Sequence, residues 1–410
     1  MKKTPSLALV LLMLAGTLLI GQLIKAPCSG GGWGDGRQYK RLCYTDIVPL
    51  YGTEHLEGDR LPYLDACPEG PGACDEYPVL TMYAMRAAAS IGPSGLESFY
   101  QNNVLFLAAC AVLITVMLYR LVGVRALYFA IAPTLAVYSF INWDLIAVAF
   151  ATGATFAFLR KRPVLAGVLL GLGASAKFYP ALLVIPFAFE LLRRDERRQA
   201  TGLTLGAAGA WLATNLPFMI AAPSNWWEFF RFNSARPPDW DSIWFIGCNV
   251  NSDGYACMSS SVPIVNAVSL ITFVALAAFV WWLKVKKQPD FPRWTFGLAL
   301  LILFLLSNKV YSPQYSLWML PWFALVLPDI RLFAAFQVTD VAVFVTRFLF
   351  FADLTGMEGG LPFWVFQTAI LLRTVVLLGC VGAWVVLRSE DVPDDRPSPG
   401  SATSKDWAAA

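Results

Sequence analysis

Charged residues are scarce in this sequence. Only 14% of its 410 residues are Asp, Glu, Lys or Arg, whereas a soluble domain carries about 25%. The mean hydropathy is +0.56, and 57% of the residues are hydrophobic. This composition excludes a soluble enzyme, a disordered chain, a coiled coil and a nucleic-acid-binding module. It predicts an all-α integral membrane protein that crosses the bilayer many times.

The usual signatures of metal and nucleotide sites are also missing. The chain has one histidine, His55, and no Cys-x-x-Cys motif, so a zinc site is not expected. The first long polar loop has no Asp-x-Asp motif. The segment Gly171-Leu172-Gly173 lies within an apolar run and is interpreted as helix packing rather than a phosphate loop. We therefore expect neither a metal ion nor a cofactor.

Twelve apolar segments are candidates for transmembrane helices, which need about 20 residues. They lack the period-2 alternation of barrel strands. The short segment 79–91 carries Arg86 and is predicted to be an amphipathic helix on the outer membrane surface. The predicted fold is a polytopic bundle of about 12 transmembrane helices, formed by residues 5–24, 101–119, 126–142, 143–159, 163–176, 178–192, 201–222, 262–283, 294–306, 312–327, 332–351 and 362–387.

The basic residues predict the orientation, because Lys and Arg in short loops stay in the cytoplasm. With the N-terminus inside, every dense basic cluster falls on the cytoplasmic side. The transmembrane domain then covers residues 1–388. Residues 25–100 and 223–261 form two large extracytoplasmic loops, and residues 389–410 form a disordered cytoplasmic tail.

Six of the eight cysteines lie in the two predicted outer loops. Disulfides persist in oxidising compartments, so this placement agrees with the predicted orientation. Four cysteines in the first loop allow three connectivities. The predicted bonds join cysteines close in sequence and then the remaining pair of the first loop: Cys67–Cys74, Cys248–Cys257 and Cys28–Cys43.

Polar residues gather at the predicted outer ends of the spans. An ionisable group near the bilayer centre costs about 2.5–3.5 kcal/mol on insertion scales, so such groups are functional candidates. Each also has a structural interpretation, as a helix cap or as a lysine that reaches the headgroups. Their convergence predicts a site at the membrane–water boundary, with Asp46 as the catalytic residue. The candidate donor- or acceptor-binding residues are Glu76, Tyr77, Asp144, Lys177, Tyr179, Asn308, Lys309, Tyr311, Gln314 and Tyr315.

This set of side chains suits the transfer of a sugar from a lipid phosphate. Lysines such as Lys177 and Lys309 neutralise the phosphate. A loop carboxylate accepts the proton of an acceptor hydroxyl as its oxygen attacks the anomeric carbon. The expected partners are therefore a polyprenyl-phosphate sugar, a lipid or glycan acceptor and membrane lipids, and no nucleic acid.

The order of the polar motifs resembles glycosyltransferase family 87, the actinobacterial membrane mannosyl- and arabinofuranosyltransferases. The resemblance runs from the first to about the tenth span and implies a C-type glycosyltransferase fold and a polyprenyl-phosphate sugar donor. It also implies a site on the outer face of the plasma membrane, inversion at the anomeric carbon and Asp46 as the base. The motifs are Thr45-Asp46-Ile47, Glu76-Tyr77-Pro78, Asn142-Trp143-Asp144, Lys177-Phe178-Tyr179-Pro180 and Tyr311-Ser312-Pro313-Gln314-Tyr315.

The resulting prediction is an inverting membrane glycosyltransferase, with mannose as the favoured sugar and arabinofuranose as the alternative. A transporter or flippase of lipid-linked sugars is the alternative from another class. Transporters tend to place polar groups at the bilayer midplane between two related halves. Here the polar residues lie towards one face and no internal repeat is visible, which favours the transferase.

Overall fold

The structure, a computed structural model, describes residues 5–29, 33–70, 73–249 and 261–391. Every regular element in these ranges is helical, which confirms the predicted all-α class. Four 3₁₀ helices, Gly123–Ala126, Tyr179–Leu183, Arg293–Thr295 and Pro313–Met319, extend or connect the α-helices. The α-helices are α1 (Leu7–Ser29), α2 (Arg37–Lys40), α3 (Ile47–Thr53), α4 (Val79–Ala89), α5 (Leu96–Val122), α6 (Leu127–Ala130), α7 (Pro133–Tyr138), α8 (Asp144–Leu159), α9 (Pro163–Ala176), α10 (Val184–Arg193), α11 (Arg197–Ala221), α12 (Pro223–Ala235), α13 (Ile243–Asn249), α14 (Val262–Lys287), α15 (Phe296–Ser307), α16 (Leu320–Leu325), α17 (Ile330–Leu354) and α18 (Phe363–Val386).

Six of these helices are long and apolar enough to cross a membrane: α1, α5, α11, α14, α17 and α18. Three more apolar helices are shorter, namely α8, α9 and α15 with the 3₁₀ turn before it. The protein is therefore a multi-pass membrane protein, but the predicted number of twelve spans is not confirmed.

Some of the predicted spans are not single α-helices. Residues 126–142 form α6 and α7, and residues 312–327 form a 3₁₀ helix followed by α16. In the first of these two spans a proline stands at the break, and in the second a proline starts the 3₁₀ helix. Pro133 and Pro313 each follow a residue with extended backbone, Ala132 and Ser312. Proline has no N–H for the preceding turn and pushes the residue before it out of the helical region, so these prolines mark the interruption in the sequence.

Close packing of α9 against α11 fixes the position of the α9 C-terminus. Gly167 and Gly171 face α11, and a Cβ on either would collide with the backbone carbonyl of Leu203 or Ala207. This is the small-xxx-small spacing that lets membrane helices approach closely. The helix ends at Ala176, so Lys177 is held at a defined place.

The first loop is cross-linked and partly helical. Cys28 is bonded to Cys43 and Cys67 to Cys74, with Cα–Cα distances of 5.8 Å in both pairs. These are the two pairs predicted for this loop. The segment 79–91 contains α4, and its location on the outer membrane surface stays a prediction. The predicted Cys248–Cys257 bond and the predicted disordered tail beyond residue 391 lie outside the described residues.

The first loop docks on the chain break that follows α7. The hydroxyl of Thr45 donates to the carbonyl of Phe140 at 2.9 Å, and the backbone N–H of Asp46 donates to the carbonyl of Ile141 at 2.9 Å. A helix that continued from α7 into α8 would use these carbonyls for its own N–H groups four residues later. The interruption therefore frees them to hold the loop, and it places Asp46 beside Asn142.

Candidate active site

A cavity of about 660 Å³ lies where the first loop meets α9, α12, α15 and α17. We call it the central cavity. Nine of the eleven predicted site residues line it, although they come from distant parts of the sequence. They are Asp46, Glu76, Tyr77, Lys177, Tyr179, Asn308, Lys309, Gln314 and Tyr315.

Both oxygens of the Asp46 carboxylate accept hydrogen bonds. The hydroxyl of Tyr44 donates to Oδ1 at 2.7 Å. The side-chain amides of Asn142 and Gln314 donate to Oδ2 at 2.8 Å and 3.4 Å. The side chain is half-buried and faces the cavity. These donors hold the carboxylate in one orientation, as a base must be held to meet its proton.

Asn142 connects Asp46 to Tyr77. Its Nδ2 also donates to the hydroxyl of Tyr77 at 2.6 Å, while its Oδ1 accepts the backbone N–H of Trp143 at 2.6 Å. The amide is 2% exposed, so its orientation is set by three partners rather than by water. Asn142 belongs to the motif Asn142-Trp143-Asp144 but was not predicted as a site residue. Its contacts show that it orients Asp46 and Tyr77 relative to each other.

Asp144, which was predicted as a binding residue, does not line the central cavity. It is fully buried and accepts hydrogen bonds from Lys177 Nζ at 3.0 Å and Trp318 Nε1 at 2.6 Å. The Lys177 ammonium also lies 4.7 Å from the ring centre of Tyr315 and 5.4 Å from that of Tyr77. Asp144 follows the turn at Trp143 and is the first residue of α8. Its side chain points into the helix bundle, where it holds the Lys177 ammonium by a hydrogen bond.

Tyr311, also predicted as a binding residue, is likewise buried and does not line the cavity. The Arg373 guanidinium lies 3.9 Å from the ring centre of Tyr311, and the tyrosine hydroxyl is 3.2 Å from Ser316 Oγ. Arg373 also pairs with Asp340 at 3.3 Å. The Tyr311–Tyr315 turn is therefore anchored by its first residue and presents Gln314 and Tyr315 to the cavity.

Tyr179 faces the cavity with its ring. That ring stacks on Trp318 at a centroid distance of 4.1 Å, and Tyr315 stacks on Trp318 at 4.3 Å. Trp318 thus fixes the two tyrosines, while its N–H is bonded to Asp144. The hydroxyl of Tyr179 is buried without a hydrogen-bond partner among the described residues.

Two arginines join the lysines at the cavity wall, and sequence reasoning did not identify either. Arg236 follows α12, and Arg347 lies inside α17. Arg347 forms ion pairs with Asp239 and Asp241. In the sequence, the two acidic residues of Asp239-Trp240-Asp241 in the second loop indicate that a basic partner is needed. They do not identify Arg347, which lies in an apolar run 106 residues after Asp241.

Lys309 is the least neutralised cation of the cavity. Its ammonium donates to the carbonyl of Ser234 at 3.2 Å and has no carboxylate within 4.0 Å among the described residues. Burial, with a further contribution from the Arg236 charge, lowers its pKa to about 8. Within the described ranges, Arg236 in turn has one ion-pair contact, to Asp239 at 3.7 Å. Two such cations near one another suit the binding of an anion.

A carboxyl group of the first loop, that of Glu76, also lies at the cavity, within the electrostatic range of Arg236. Glu76 lines the cavity, and burial raises its pKa, while the charges of Arg236 and Lys177 oppose that rise. Behind it, the Glu54 carboxylate accepts the backbone N–H of Asp75 at 2.6 Å and that of Glu76 at 3.2 Å. Glu54 therefore fixes the backbone from which Glu76 projects.

Aromatic side chains form one edge of the cavity. Phe229, Phe230 and Phe232 of α12 lie there with Phe304 of α15. Phe178 also lines the cavity and is 52% exposed at the protein surface. This edge connects the polar cavity to an apolar surface, as a site for an amphiphilic ligand requires.

The described residues contain one group with the spacing of a metal site, His55 with Cys67 and Cys74. The two cysteines are bonded to each other, so they are not thiolate ligands. His55 lies 3.9 Å from Glu69, in the first loop and away from the central cavity. This group is a disulfide beside a histidine.

Comparison with known proteins supplies a family match. The model of glycosyltransferase family 87 matches residues 82–308 of the chain, more than half of it. Among solved structures, the chain is similar to ArnT from Cupriavidus metallidurans, which was crystallised bound to undecaprenyl phosphate. The identity is 14%, the TM-score is 0.47, and the match covers 93% of this chain and 78% of ArnT. No curated protein sequence matches the chain.

Proposed function

The chain belongs to glycosyltransferase family 87, and from this premise we propose that it moves a sugar from a polyprenyl-phosphate donor to a lipid- or glycan-linked acceptor. Mannose is the favoured sugar, and the central cavity opens to the outer face of the plasma membrane. One observation carries the proposal: a single cavity holds the oriented Asp46 carboxylate together with the poorly neutralised cations Lys309 and Arg236.

Asp46 acts as the general base. An acceptor hydroxyl loses its proton to the carboxylate while its oxygen forms a bond to the anomeric carbon of the donor sugar. The bond between that carbon and the phosphate oxygen breaks at the same time, and the lipid phosphate leaves with the electron pair. Attack from the side opposite the phosphate inverts the anomeric centre. Tyr44, Asn142 and Gln314 keep the base aligned.

Lys309 and Arg236 bind the phosphate and balance the charge that develops as it leaves. Lys177 is already paired with Asp144, so its contribution to the phosphate is smaller. Gln314 and Tyr315 line the same cavity, and Gln314 donates to Asp46 at 3.4 Å. The donor sugar therefore lies beside these two side chains.

In the bound donor, the polyprenyl chain extends from the phosphate towards the bilayer. It lies along the aromatic edge of the cavity, against Phe229, Phe230 and Phe178. Apolar surface here remains accessible, as the 52% exposure of Phe178 indicates. Burying the prenyl chain against these rings contributes about 25 cal/mol per Å² of apolar surface removed from water. The donor is thereby held with its phosphate at the cations and its lipid in the bilayer.

The test is an assay of purified protein in lipid vesicles with radiolabelled donors. Polyprenyl-phosphate mannose and polyprenyl-phosphate arabinofuranose are supplied separately, each with short mannose and arabinofuranose glycans as acceptors. We expect transfer from the mannose donor, and an Asp46→Asn protein serves as the inactive control. Transfer from the arabinose donor alone changes the sugar but keeps the reaction. Movement of intact donor across the vesicle membrane, with no sugar released, would support the transporter instead.

A further inference from the structure

A second cavity of about 860 Å³ adjoins the active site on the side of the first loop. We call it the loop cavity. Tyr44 and Pro49 line both cavities, so the two spaces meet at these residues. Tyr44 is also the residue whose hydroxyl donates to Asp46 at 2.7 Å. The proposed mechanism uses the central cavity for the donor and leaves the loop cavity without a role.

The walls of the loop cavity combine fixed aromatic rings with polar groups. The ring centroids of Trp33 and Tyr100 are 5.0 Å apart, and those of the stacked rings of Tyr39 and Tyr44 are 6.0 Å apart. These contacts immobilise the rings while leaving surface towards the cavity. Sugars have apolar C–H faces and polar hydroxyl edges. Rigid aromatic surface next to hydrogen-bonding side chains is therefore the surface that a sugar ring fits.

One polar atom of the wall is buried and unsatisfied. Gln38 lines the cavity, and its Oε1 has no hydrogen-bond partner among the described residues. Because a buried acceptor without a partner is unfavourable, a rotation of the Gln38 side chain that turns Oε1 towards a ligand hydroxyl in the cavity is favoured. Glu57, on the exposed rim, offers a second acceptor.

A disulfide holds this wall in place. Cys28 and Cys43 close a loop that contains Trp33, Gln38 and Tyr39. Cys43 directly precedes Tyr44, where the two cavities meet. The cross-link thus fixes both the wall and its junction with the catalytic base.

We propose that the loop cavity binds the acceptor as a glycan and presents one of its hydroxyls past Tyr44 to Asp46. The assignment rests on the proposed function, because it places the second substrate of that reaction. The cations that hold the donor phosphate, Lys309 and Arg236, line the central cavity but not the loop cavity. An acceptor from the loop cavity therefore reaches the donor sugar from the side of the base, as an inverting displacement requires. A volume of this size, within the usual range of about 300–1,000 Å³ for ligand sites, takes a glycan end rather than a single hydroxyl group.

The test blocks the loop cavity and measures where the donor sugar goes. Ser94→Cys places a thiol on the exposed rim, and a bulky maleimide attached there fills the cavity. Gly58→Cys is the matched control, because Gly58 is exposed in the same loop but lines neither cavity. For each protein, the ratio of sugar transferred to an octyl-linked disaccharide to sugar released into water is compared before and after labelling.

We expect labelling of Ser94→Cys to lower this ratio at least tenfold and labelling of Gly58→Cys to leave it unchanged. Gln38→Leu, which keeps the size but removes the acceptor atom, should lower the ratio about tenfold through a higher KM for the disaccharide. An unchanged ratio in labelled Ser94→Cys would overturn the assignment. An equal fall in transfer and release would also overturn it, since the label would then act on the donor.

A measurement of acceptor binding tests the loop cavity independently of the proposed transfer reaction. Saturation-transfer NMR of the octyl disaccharides with the wild-type protein should show contacts that Gln38→Leu weakens. A protein that binds the disaccharides in this way but releases no sugar from either donor would overturn the proposed reaction and support the cavity. A protein that cleaves the donor but shows equal contacts with and without Gln38→Leu would overturn the cavity alone.

Discussion

Asn142 and Asp46 are 96 residues apart in the sequence, yet Asn142 Nδ2 donates to Asp46 Oδ2 at 2.8 Å. The contact joins the base in the first loop to the chain break between α7 and α8. It exists because that break leaves carbonyl groups free for Thr45 and the backbone of Asp46. The geometry of the base therefore depends on an interruption in a membrane segment.

Replacing the base should remove turnover but spare donor binding. Asp46→Asn keeps the shape and some of the hydrogen bonds but cannot take a proton. A positioned base contributes about 10²–10⁴-fold, so kcat should fall by that factor while the Kd for the donor changes little. Single-turnover kinetics and a donor-binding assay check this. Asp59→Asn, in the exposed part of the same loop, is the control. Near-normal turnover of Asp46→Asn would make Glu76 the next candidate, followed by Asp144.

Binding of the lipid phosphate should depend on the charge of Lys309. Its pKa is lowered to about 8, so the ammonium is present below that pH and is lost as the pH rises through it. The affinity for polyprenyl phosphate should accordingly decline above about pH 8. Lys309→Ala should weaken binding about tenfold, and Lys177→Ala less, since Lys177 is held by Asp144.

Lys309→Arg provides the internal control for this titration, because arginine stays protonated throughout. Its affinity should be nearly independent of pH between 7 and 9. Lys286→Arg, at an exposed position outside the cavity, should keep the wild-type profile. Equal pH dependence in wild type and Lys309→Arg would assign the titration to another group.

The buried pair of Asp144 and Lys177 should contribute to stability mainly through mutual neutralisation. Asp144→Asn leaves the 14%-exposed Lys177 ammonium without its counter-charge. Removing one partner of a buried pair costs about 3–5 kcal/mol, so the thermal midpoint should fall by several degrees. The double variant Asp144→Asn with Lys177→Met should recover most of this loss. Scanning fluorimetry in detergent measures both, and a double variant no more stable than Asp144→Asn would contradict the explanation.

Both large loops should be accessible from outside the cell. They meet in one cavity, so they must share a side, and the basic clusters predict the outer one. A membrane-impermeant thiol reagent should label Ser224→Cys and Thr53→Cys in intact cells. Gln199→Cys, in the first turn of α11 and beside the basic cluster at its start, should react only after permeabilisation. Labelling of Ser224→Cys only after permeabilisation would place the cavity in the cytoplasm.

Cys248 and Cys257 should be bonded to each other. They flank a short segment with Asn251, Asp253 and Gly254, residues that favour turns. Peptide mapping of unreduced protein should find them linked, together with Cys28–Cys43 and Cys67–Cys74. Recovery of Cys248 and Cys257 as free thiols would refute the pairing.

The sequence by itself determined the class of the protein and most of its site. Few charges and long apolar runs leave no alternative to membrane helices, because neither burial nor solvation of so much apolar surface is possible in water. Motifs such as Thr45-Asp46-Ile47 could be read as parts of one site because polar groups at span ends are costly unless they have a role. Nine of the eleven predicted site residues line one cavity for this reason.

Only the tertiary structure decided which of these side chains face the cavity and what holds them. Asp144 and Tyr311 point away from it, because side-chain direction depends on the exact start of α8 and of the turn before α16. Arg347 reaches Asp239 and Asp241 across 106 residues, and such a long-range ion pair has no local pattern in the sequence. Local signals predict segments and their faces, whereas these contacts arise only when the helices and both loops pack together.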